Sequence, residues 1–218
     1  MFTEPTVRTA PSAGADSSKV HWHMTGTSPG AATLKIQGNL KPGWLGRLSS
    51  YLSHHTVSLT GGYARKSSSL SWDATFAIEA GSSNGTPLNV LDPLPAIMAV
   101  DTRAAIPVIT IADFQVEHST RHGGSLYTET SGKDCIGFLY GLLRMFSFYS
   151  LFPAEVDIST KGMVAHDRFW LKGIGSATPS PDDLKALYER LQQTYEGGLR
   201  AAGARSSVID AGISRYRH

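Results

Sequence analysis

The chain repeats itself at a spacing of 94 residues, and this repeat constrains the possible folds more than any other feature of the sequence. Gly43 and Gly137 lie 94 positions apart (137 − 43), and the same spacing separates Asp73 from Asp167. At this spacing apolar residues also align with apolar residues, in the pairs Trp44 with Phe138, Leu45 with Leu139, Leu48 with Leu142, and Phe76 with Trp170. Because the alignment needs no gap, it predicts two copies of one structural unit.

The hydrophobic pattern predicts the same order of elements in each copy, namely strand, helix, strand, strand, helix, strand. Leu34 and Ile36 alternate with polar residues, as in a half-buried strand, and the run after Pro42 has the spacing of an amphipathic helix. The first copy has predicted helices after residues 42 and 92, and predicted strands over 32–38, 57–63, 70–80 and 108–117. The second has predicted helices over 136–149 and 180–197, and predicted strands over 125–130, 156–160, 163–172 and around 208. The predicted fold class is therefore α+β, with two tandem ferredoxin-like βαββαβ units.

Four segments follow from this pattern. Residues 1–30 are rich in Thr, Ser, Gly, Ala and Pro, which predicts a flexible N-terminal arm. The two units are predicted over 31–120 and 121–200. The end of the chain, 201–218, contains several arginines and is predicted to be a basic tail.

Composition argues against several classes of function. The formal net charge of +2 gives no strong field for a nucleic-acid or membrane partner, and neither is predicted. The single cysteine, Cys135, excludes an internal disulfide and a multi-cysteine metal site. No secretory signal is visible, so the expected compartment is the cytoplasm, with an organelle matrix or stroma as the alternative. The most apolar stretch, 135–152, contains glycines and an arginine, which favours a buried helix over a membrane span.

Candidate metal and catalytic residues are few. His118 and His122 are four residues apart in a predicted loop, and no Asp, Glu or Cys completes a metal site with them, which favours a solvated loop over a metal site. Cys135 should begin a helix, a position that lowers the pKa of a thiol, but no motif of a cysteine enzyme surrounds it. We therefore predict no metal, no cofactor and no enzymatic activity.

Short motifs in both copies resemble those of ACT domains. The run Asp134-Cys135-Ile136-Gly137-Phe138-Leu139 resembles the Asp-x-x-Gly-x-Leu turn between the first strand and first helix of an ACT domain. In the first copy Asn39-Leu40-Lys41-Pro42-Gly43 takes this place, with Leu40 where an acidic residue is usual. The stretch 156–169 is similar to the closing strands of the ACT repeats in PII-uridylyltransferases, and glycine-cleavage regulators and plant ACT-repeat proteins share this architecture. The resemblance covers 32–196 and includes nothing catalytic.

This resemblance implies a regulatory protein that binds an amino acid or a similar metabolite at the interface of paired domains. The implied ligand-binding residues form the two turns, Asn39, Leu40, Lys41, Pro42 and Gly43 in the first and Asp134, Cys135, Ile136 and Gly137 in the second. Glycine at a helix start lets a carboxylate approach free backbone N–H groups, and Asp134 would receive the ligand's ammonium group. The second turn is therefore expected to bind more tightly. The alternative is that both glycines only make tight turns.

A structural or accessory subunit is the alternative function. The helix predicted over 136–149 is apolar almost all round, more than one small sheet can cover. We therefore predict a homodimer or a subunit of a larger complex, with an interface that includes Tyr140, Met145, Phe148 and Tyr149.

Overall fold

Antiparallel strands from both halves of the chain join in one continuous sheet. The computed structural model describes residues 7–9, 20–68, 71–81, 86–99 and 107–213, with side chains between residues 20 and 198 of those ranges. In this part of the chain the sheet has nine strands, which are β1 (Val7–Thr9), β2 (His21–Ser28), β3 (Ala31–Asn39), β4 (Val57–Lys66), β5 (Ser71–Ala80), β6 (Ile111–Ser119), β7 (Ser125–Lys133), β8 (Phe152–Lys161) and β9 (Val164–Lys172). Their order across the sheet is β1-β2-β3-β5-β4-β8-β9-β7-β6.

Helices from both halves pack on one face of this sheet. The described residues form four α-helices, which are α1 (Trp44–His54), α2 (Leu94–Met98), α3 (Phe138–Phe148) and α4 (Pro181–Ile213). α1 and α3 contact each other above the central strands β4 and β8, and α4 lies on the edge strand β6. Within the described ranges, none of the helices combines the length and the apolarity needed to cross a bilayer.

The core lies between these helices and the sheet. Alternation along the strands places Leu34, Phe76 and Phe169 on the helix-facing side, where all three are fully buried. α1 contributes Leu48, and α3 contributes Phe146, whose ring meets that of Phe169 edge-on at a centroid distance of 4.9 Å. Both helices therefore have the amphipathic spacing that the sequence indicated, and their apolar faces cover the middle of the sheet.

The predicted pair of βαββαβ units is wrong. Each half runs strand, strand, helix, strand, strand, as β2-β3-α1-β4-β5 and as β6-β7-α3-β8-β9. Each unit was expected to end with a strand, but the fourth strand of each half comes at its start instead. These first strands, β2 and β6, form antiparallel hairpins with β3 and β7. Short connections make sequence neighbours the favoured partners. The halves then join through β4 and β8, which pair from Gly61 opposite Ser159 to Arg65 opposite Glu155.

Both ends of the chain carry more regular structure than the sequence pattern indicated. Strand β2 lies in the segment expected to be a loose arm, because Trp22 and Met24 pack opposite Ile36 and Leu34 across the hairpin. α4 continues through the region of the strand predicted around residue 208 and into the expected basic tail. Strand β1 lies in the same segment as β2. Residues 1–6, residues 10–19 and the last five residues lie outside the described residues.

The internal repeat is present, but its spacing changes by one residue along the chain. The spacing of 94 holds from β3 and β7 through α1 and α3, where Gly43 and Gly137 have φ of 80° and 90°. It is still 94 in β4 and β8, where Gly62 corresponds to Val156. In β5 and β9 it becomes 93, because Leu34 lies opposite Phe76 while its equivalent Thr128 lies opposite Phe169. A shift of one residue moves a side chain to the other face of a sheet. The alignments of Asp73 with Asp167 and of Phe76 with Trp170 are therefore wrong, and the true equivalent of Asp167 is Ala74.

The close approach of β4 to its neighbours gives a first prediction. A Cβ on Gly62 would lie 2.1 Å from the carbonyl oxygen of Thr75, and the residue has φ of 131°. We expect Gly62→Ala to lower the free energy of unfolding by about 2 kcal/mol or more, because β5 must move away from the central strand. Gly26→Ala, where an added Cβ meets nothing within 4 Å, should change it by about 0.5 kcal/mol or less. Urea unfolding measures both, and equal losses would contradict this packing.

Candidate functional site

A cleft with a volume of about 680 Å³ opens between α1 and α3, beside the strand ends at Lys66, Trp72, Phe152 and Lys172. Its walls come from both halves of the chain, since they include the turn before α1, the start of α1, one side of α3 and the turn that follows β9. A volume of this size lies in the usual range of small-molecule sites. The cleft is therefore a candidate binding site.

The first predicted turn lies at this cleft. Leu40, Pro42 and Gly43 line it, whereas Asn39 and Lys41 are not among the lining residues. The positive φ of Gly43 favours glycine, so the geometry of the turn by itself requires a glycine here. A Cβ at this position would also lie 3.2 Å from Nη1 of Arg47, so glycine leaves space for the guanidinium over the turn.

The second predicted turn lies at a much smaller space. Asp134, Cys135 and Gly137 line a cavity of about 20 Å³, which is room for roughly one water molecule. Ile136 is not among its lining residues. An amino acid is larger than this space, so the tighter second site gains no support from the structure and stays a prediction.

These two spaces occupy equivalent positions in the internal repeat. Residues of the cleft correspond, at the spacing of 94, to residues of the small cavity, as in the pairs Leu40 with Asp134, Gly43 with Gly137, Trp44 with Phe138, and Leu45 with Leu139. Gly46, which lines the cleft, corresponds to Tyr140, which lines both spaces and is 2% exposed. An aromatic side chain thus occupies volume beside the small cavity where the cleft has a glycine.

The charges around the cleft are all positive. Its described lining contains Arg47, Lys66, Arg144 and Lys172, and no aspartate or glutamate. Nε of Arg47 donates to the carbonyl oxygen of Ile97 at 3.1 Å, Nη1 donates to that of Pro42 at 3.2 Å, and burial lowers the pKa of the guanidinium. Lys66 Nζ donates to Ser176 Oγ at 3.1 Å. None of these side chains has a carboxylate partner in the described part of the chain.

Apolar and aromatic side chains form most of the remaining wall. The rings of Trp44 and Trp72 meet edge-on with their centroids 5.4 Å apart, and Leu143, Leu151 and Phe152 line the side nearer to α3. The indole Nε1–H of Trp44 is buried and has no hydrogen-bond partner among the described residues. Such a lining suits the apolar body of a ligand.

Sequence reasoning missed the basic residues and Trp72. They come from separate elements, and their convergence depends on the pairing of β4 with β8, which no local pattern reports. Of these residues, only Arg47 could have been linked to the first turn from the sequence. It lies one helical turn after Gly43 and therefore on the same side of α1.

Glu155, a buried carboxylate beyond the cleft, accounts for several other charged residues. It accepts hydrogen bonds from Arg65 at 2.5 Å, His122 at 2.9 Å and Arg121 at 3.3 Å. Burial alone would raise its pKa, but the bonds from Arg65 and His122 outweigh this and lower it. The cluster ties the turn at 121–123 to the junction of the halves. In the described residues no group of three metal-ligating side chains forms a metal site.

Lys172 is also held by its surroundings. Nζ donates to the carbonyl oxygen of His122 at 3.1 Å and to that of Gly124. Burial lowers the pKa of this ammonium group. Its hydrogen bonds fasten the loop after β6 to the end of β9, so we do not count it among the cations available to a ligand.

Asp167 is a buried carboxyl group beside the small cavity, with an exposure of 1%. Its Oδ1 has no hydrogen-bond partner among the described residues. Burial and the negative charge of Asp134 raise its pKa to about 8, although a backbone hydrogen bond from Ser159 acts in the opposite direction. Asp167 is therefore protonated at neutral pH. The equivalent Ala74 is also buried, so the acid is a departure from the repeat.

The thiol of Cys135 differs from the expectation based on its position. Burial, followed by the negative charge of Asp134, raises its pKa, whereas a helix start was expected to lower it. The pKa of this thiol is therefore shifted in the direction opposite to the one that its position before α3 indicated.

The residues predicted to form an interface have different environments. Tyr140 is buried and Met145 and Tyr149 are half-buried, whereas Phe148 is 83% exposed. α3 is apolar almost all round because α1 covers one side, and Ile109 covers another at Gly141. Contacts within the chain therefore account for the apolarity on which the interface prediction depended, and an interface at Phe148 stays a prediction.

Comparisons with known proteins identify no relative. No protein-family model, no curated protein and no solved structure matches the chain. Nothing in them identifies an ACT-domain protein, and the function must be argued from the cleft itself.

The buried carboxyl group gives a prediction about pH. The pKa of Asp167 is about 8 in the folded protein and should be about 4 in the unfolded chain. Its contribution to stability is therefore complete below about pH 4 and is lost as the pH rises to about 8, by at most about 1.4 kcal/mol per pH unit. Asp167→Asn should flatten this fall in the free energy of unfolding.

The matched control is Asp73→Asn, because Asp73 is half-buried on the opposite face, where Gln37 donates to it at 3.2 Å. Urea unfolding between pH 5 and pH 8 compares the parent with both variants. If Asp167→Asn loses stability with pH as steeply as the parent, the raised pKa is contradicted.

Proposed function

We propose that this protein is a non-catalytic binding protein that takes up a small organic metabolite in the cleft between α1 and α3. The observation that carries the proposal is the cleft itself, about 680 Å³ in volume and lined mostly by apolar side chains with a few basic groups. Small-molecule sites have this combination of size and lining.

A regulatory role follows from the way the cleft is built. One wall belongs to the first half of the chain, through Trp44 and Arg47, and the facing wall belongs to the second half, through Leu143 and Arg144. A molecule that contacts both walls stabilises the arrangement of the two halves in which it binds, and a partner that senses this arrangement would respond to the metabolite.

The lining favours binding over catalysis. Among its described residues there is no carboxylate, imidazole or thiol, the groups that most often serve as general base or as nucleophile. The serines present, Ser147 and Ser176, have no such base beside them in the lining. Absence of enzymatic activity therefore remains part of the proposal.

The test is a thermal-shift screen against amino acids, nucleotides and organic acids, repeated on a variant with a filled cleft. Gly46→Tyr gives the cleft the aromatic residue that the equivalent position has in Tyr140. We expect a ligand that raises the melting temperature of the parent to lose its effect in Gly46→Tyr, because the added ring occupies the site.

Gly197→Tyr is the matched control, since it adds the same side chain to α4 where a Cβ meets nothing within 4 Å. It should respond to the ligand as the parent does. An equal shift in Gly46→Tyr would place the site elsewhere, and a screen without any stabilising ligand would contradict the proposed function.

A docking subunit is the second candidate function, and the exposed ring of Phe148 favours it. The ring contacts Tyr149 at a centroid distance of 5.3 Å, and 83% of the residue is open to solvent at the end of α3. Large exposed aromatic residues of this kind are enriched in protein interfaces.

For this second function we expect Phe148→Asp to reduce the mass of the assembly in light scattering, because a charge cannot enter an apolar interface. Met163→Asp, which replaces another exposed apolar residue in the turn between β8 and β9, is the control and should leave the mass unchanged. If Phe148→Asp has the same mass as the parent, the helix end is not an interface.

A further inference from the structure

We propose that the ligand of the cleft is an amphipathic organic anion, an apolar body that carries a carboxylate or a similar acid group and no ammonium group. This inference rests on the proposed function and narrows it, because an amino acid is a zwitterion and the cleft has charges of one sign.

The cations available to a ligand come from three separate elements. Arg47 lies on α1, Lys66 ends β4, and Arg144 lies on α3. The guanidinium of Arg144 is exposed and has neither a hydrogen bond nor an ion pair in the described part of the chain. Arg47 donates two N–H groups to carbonyl oxygens, and a guanidinium has five. An acid group can therefore bind without breaking an existing contact.

No described residue of the lining can receive an ammonium group as an ion pair. The turn before α1 has Leu40, 2% exposed, at the position where the equivalent turn has Asp134. Asp134 lines the cavity of about 20 Å³ at the equivalent position of the other half. The acid that could pair with the ammonium group of an amino acid thus lies at a space smaller than an amino acid. At the cleft, the three available cations repel an ammonium group.

The apolar wall supplies the remaining part of the recognition. Trp44, Trp72 and Leu143 line the cleft beside the cations, and burial of apolar surface is the main favourable contribution to binding in such sites. An inorganic anion would contact the basic groups alone and leave this wall uncovered. The chemistry therefore requires both an acid group and an apolar body in the same molecule.

The experiment uses three probes with the same indole body and different charges, namely indole-3-acetate, tryptophan and tryptamine, with acetate as the acid group alone. Calorimetry on the full chain at pH 7 should give indole-3-acetate the highest affinity, on the order of tenfold or more above tryptophan and tryptamine. Acetate should show no measurable binding. A decanoate and decylamine pair repeats the comparison with an aliphatic body.

One variant and its control test whether the acid group of the ligand binds at Arg144. Arg144→Gln should weaken binding of the anionic probe by roughly fivefold or more, with little change for tryptamine. Arg190→Gln, which removes an exposed arginine from α4, is the charge-matched control and should bind as the parent does.

The outcomes separate this inference from the proposed function. Equal binding of anion, zwitterion and cation, with all three lost in Gly46→Tyr, overturns the anion inference and leaves the cleft as a binding site. Preference for tryptophan or for an amine also overturns it. Failure of both anionic probes to bind overturns the inference as well, and failure of every compound in the wider screen removes the proposed function with it.

Discussion

The pairing of β4 with β8 is the contact on which the rest of the structure depends. It joins two strand-strand-helix-strand-strand halves into one sheet and brings α1 and α3 together above the junction. Gly62 permits the close approach of β4 to β5 beside this junction, and Glu155 is held across the junction by Arg65. The cleft and the small cavity are both lined by residues of the two halves. Neither space would exist in an isolated half, so the proposed binding site depends on this single interface.

The two halves have the same architecture and have diverged where they face each other. On one side Leu40 and Gly46 line an open, apolar cleft with basic residues around it. On the other side their equivalents Asp134 and Tyr140 line the small cavity, together with Asp167. Natural sequences depart from local consistency mainly at functional or strained positions. The buried acid in place of Ala74 is such a departure, and its raised pKa makes the region of the small cavity sensitive to pH.

Local features of the fold could be predicted from the sequence, and long-range features could not. The apolar period locates α1 and α3, and Gly43 and Gly137 mark the turns before them, since both have a positive φ. Strand pairing depends on contacts between distant segments, so the pattern gave β6 to the wrong half and missed β2, in which two apolar residues anchor the hairpin. Because the repeat spacing changes from 94 to 93, the alignment at 94 matched Asp167 with Asp73, which lies on the opposite face of the sheet. The turn at Gly43 pointed towards the cleft, but its basic groups meet only in the folded chain.

The central claim is that a small molecule binds between Trp44 and the facing residues of α3. The chain has four tryptophans, of which Trp44 and Trp72 line the cleft while Trp22 lies on β2 and Trp170 lies beneath the guanidinium of Arg121. A ¹H–¹⁵N correlation spectrum, assigned with single Trp→Phe variants, therefore reports both regions through four indole signals. Titration with the best ligand from the screen should shift the signals of Trp44 and Trp72 and leave those of Trp22 and Trp170 in place. Shifts confined to Trp22 or Trp170, with Trp44 and Trp72 unchanged, would contradict the account.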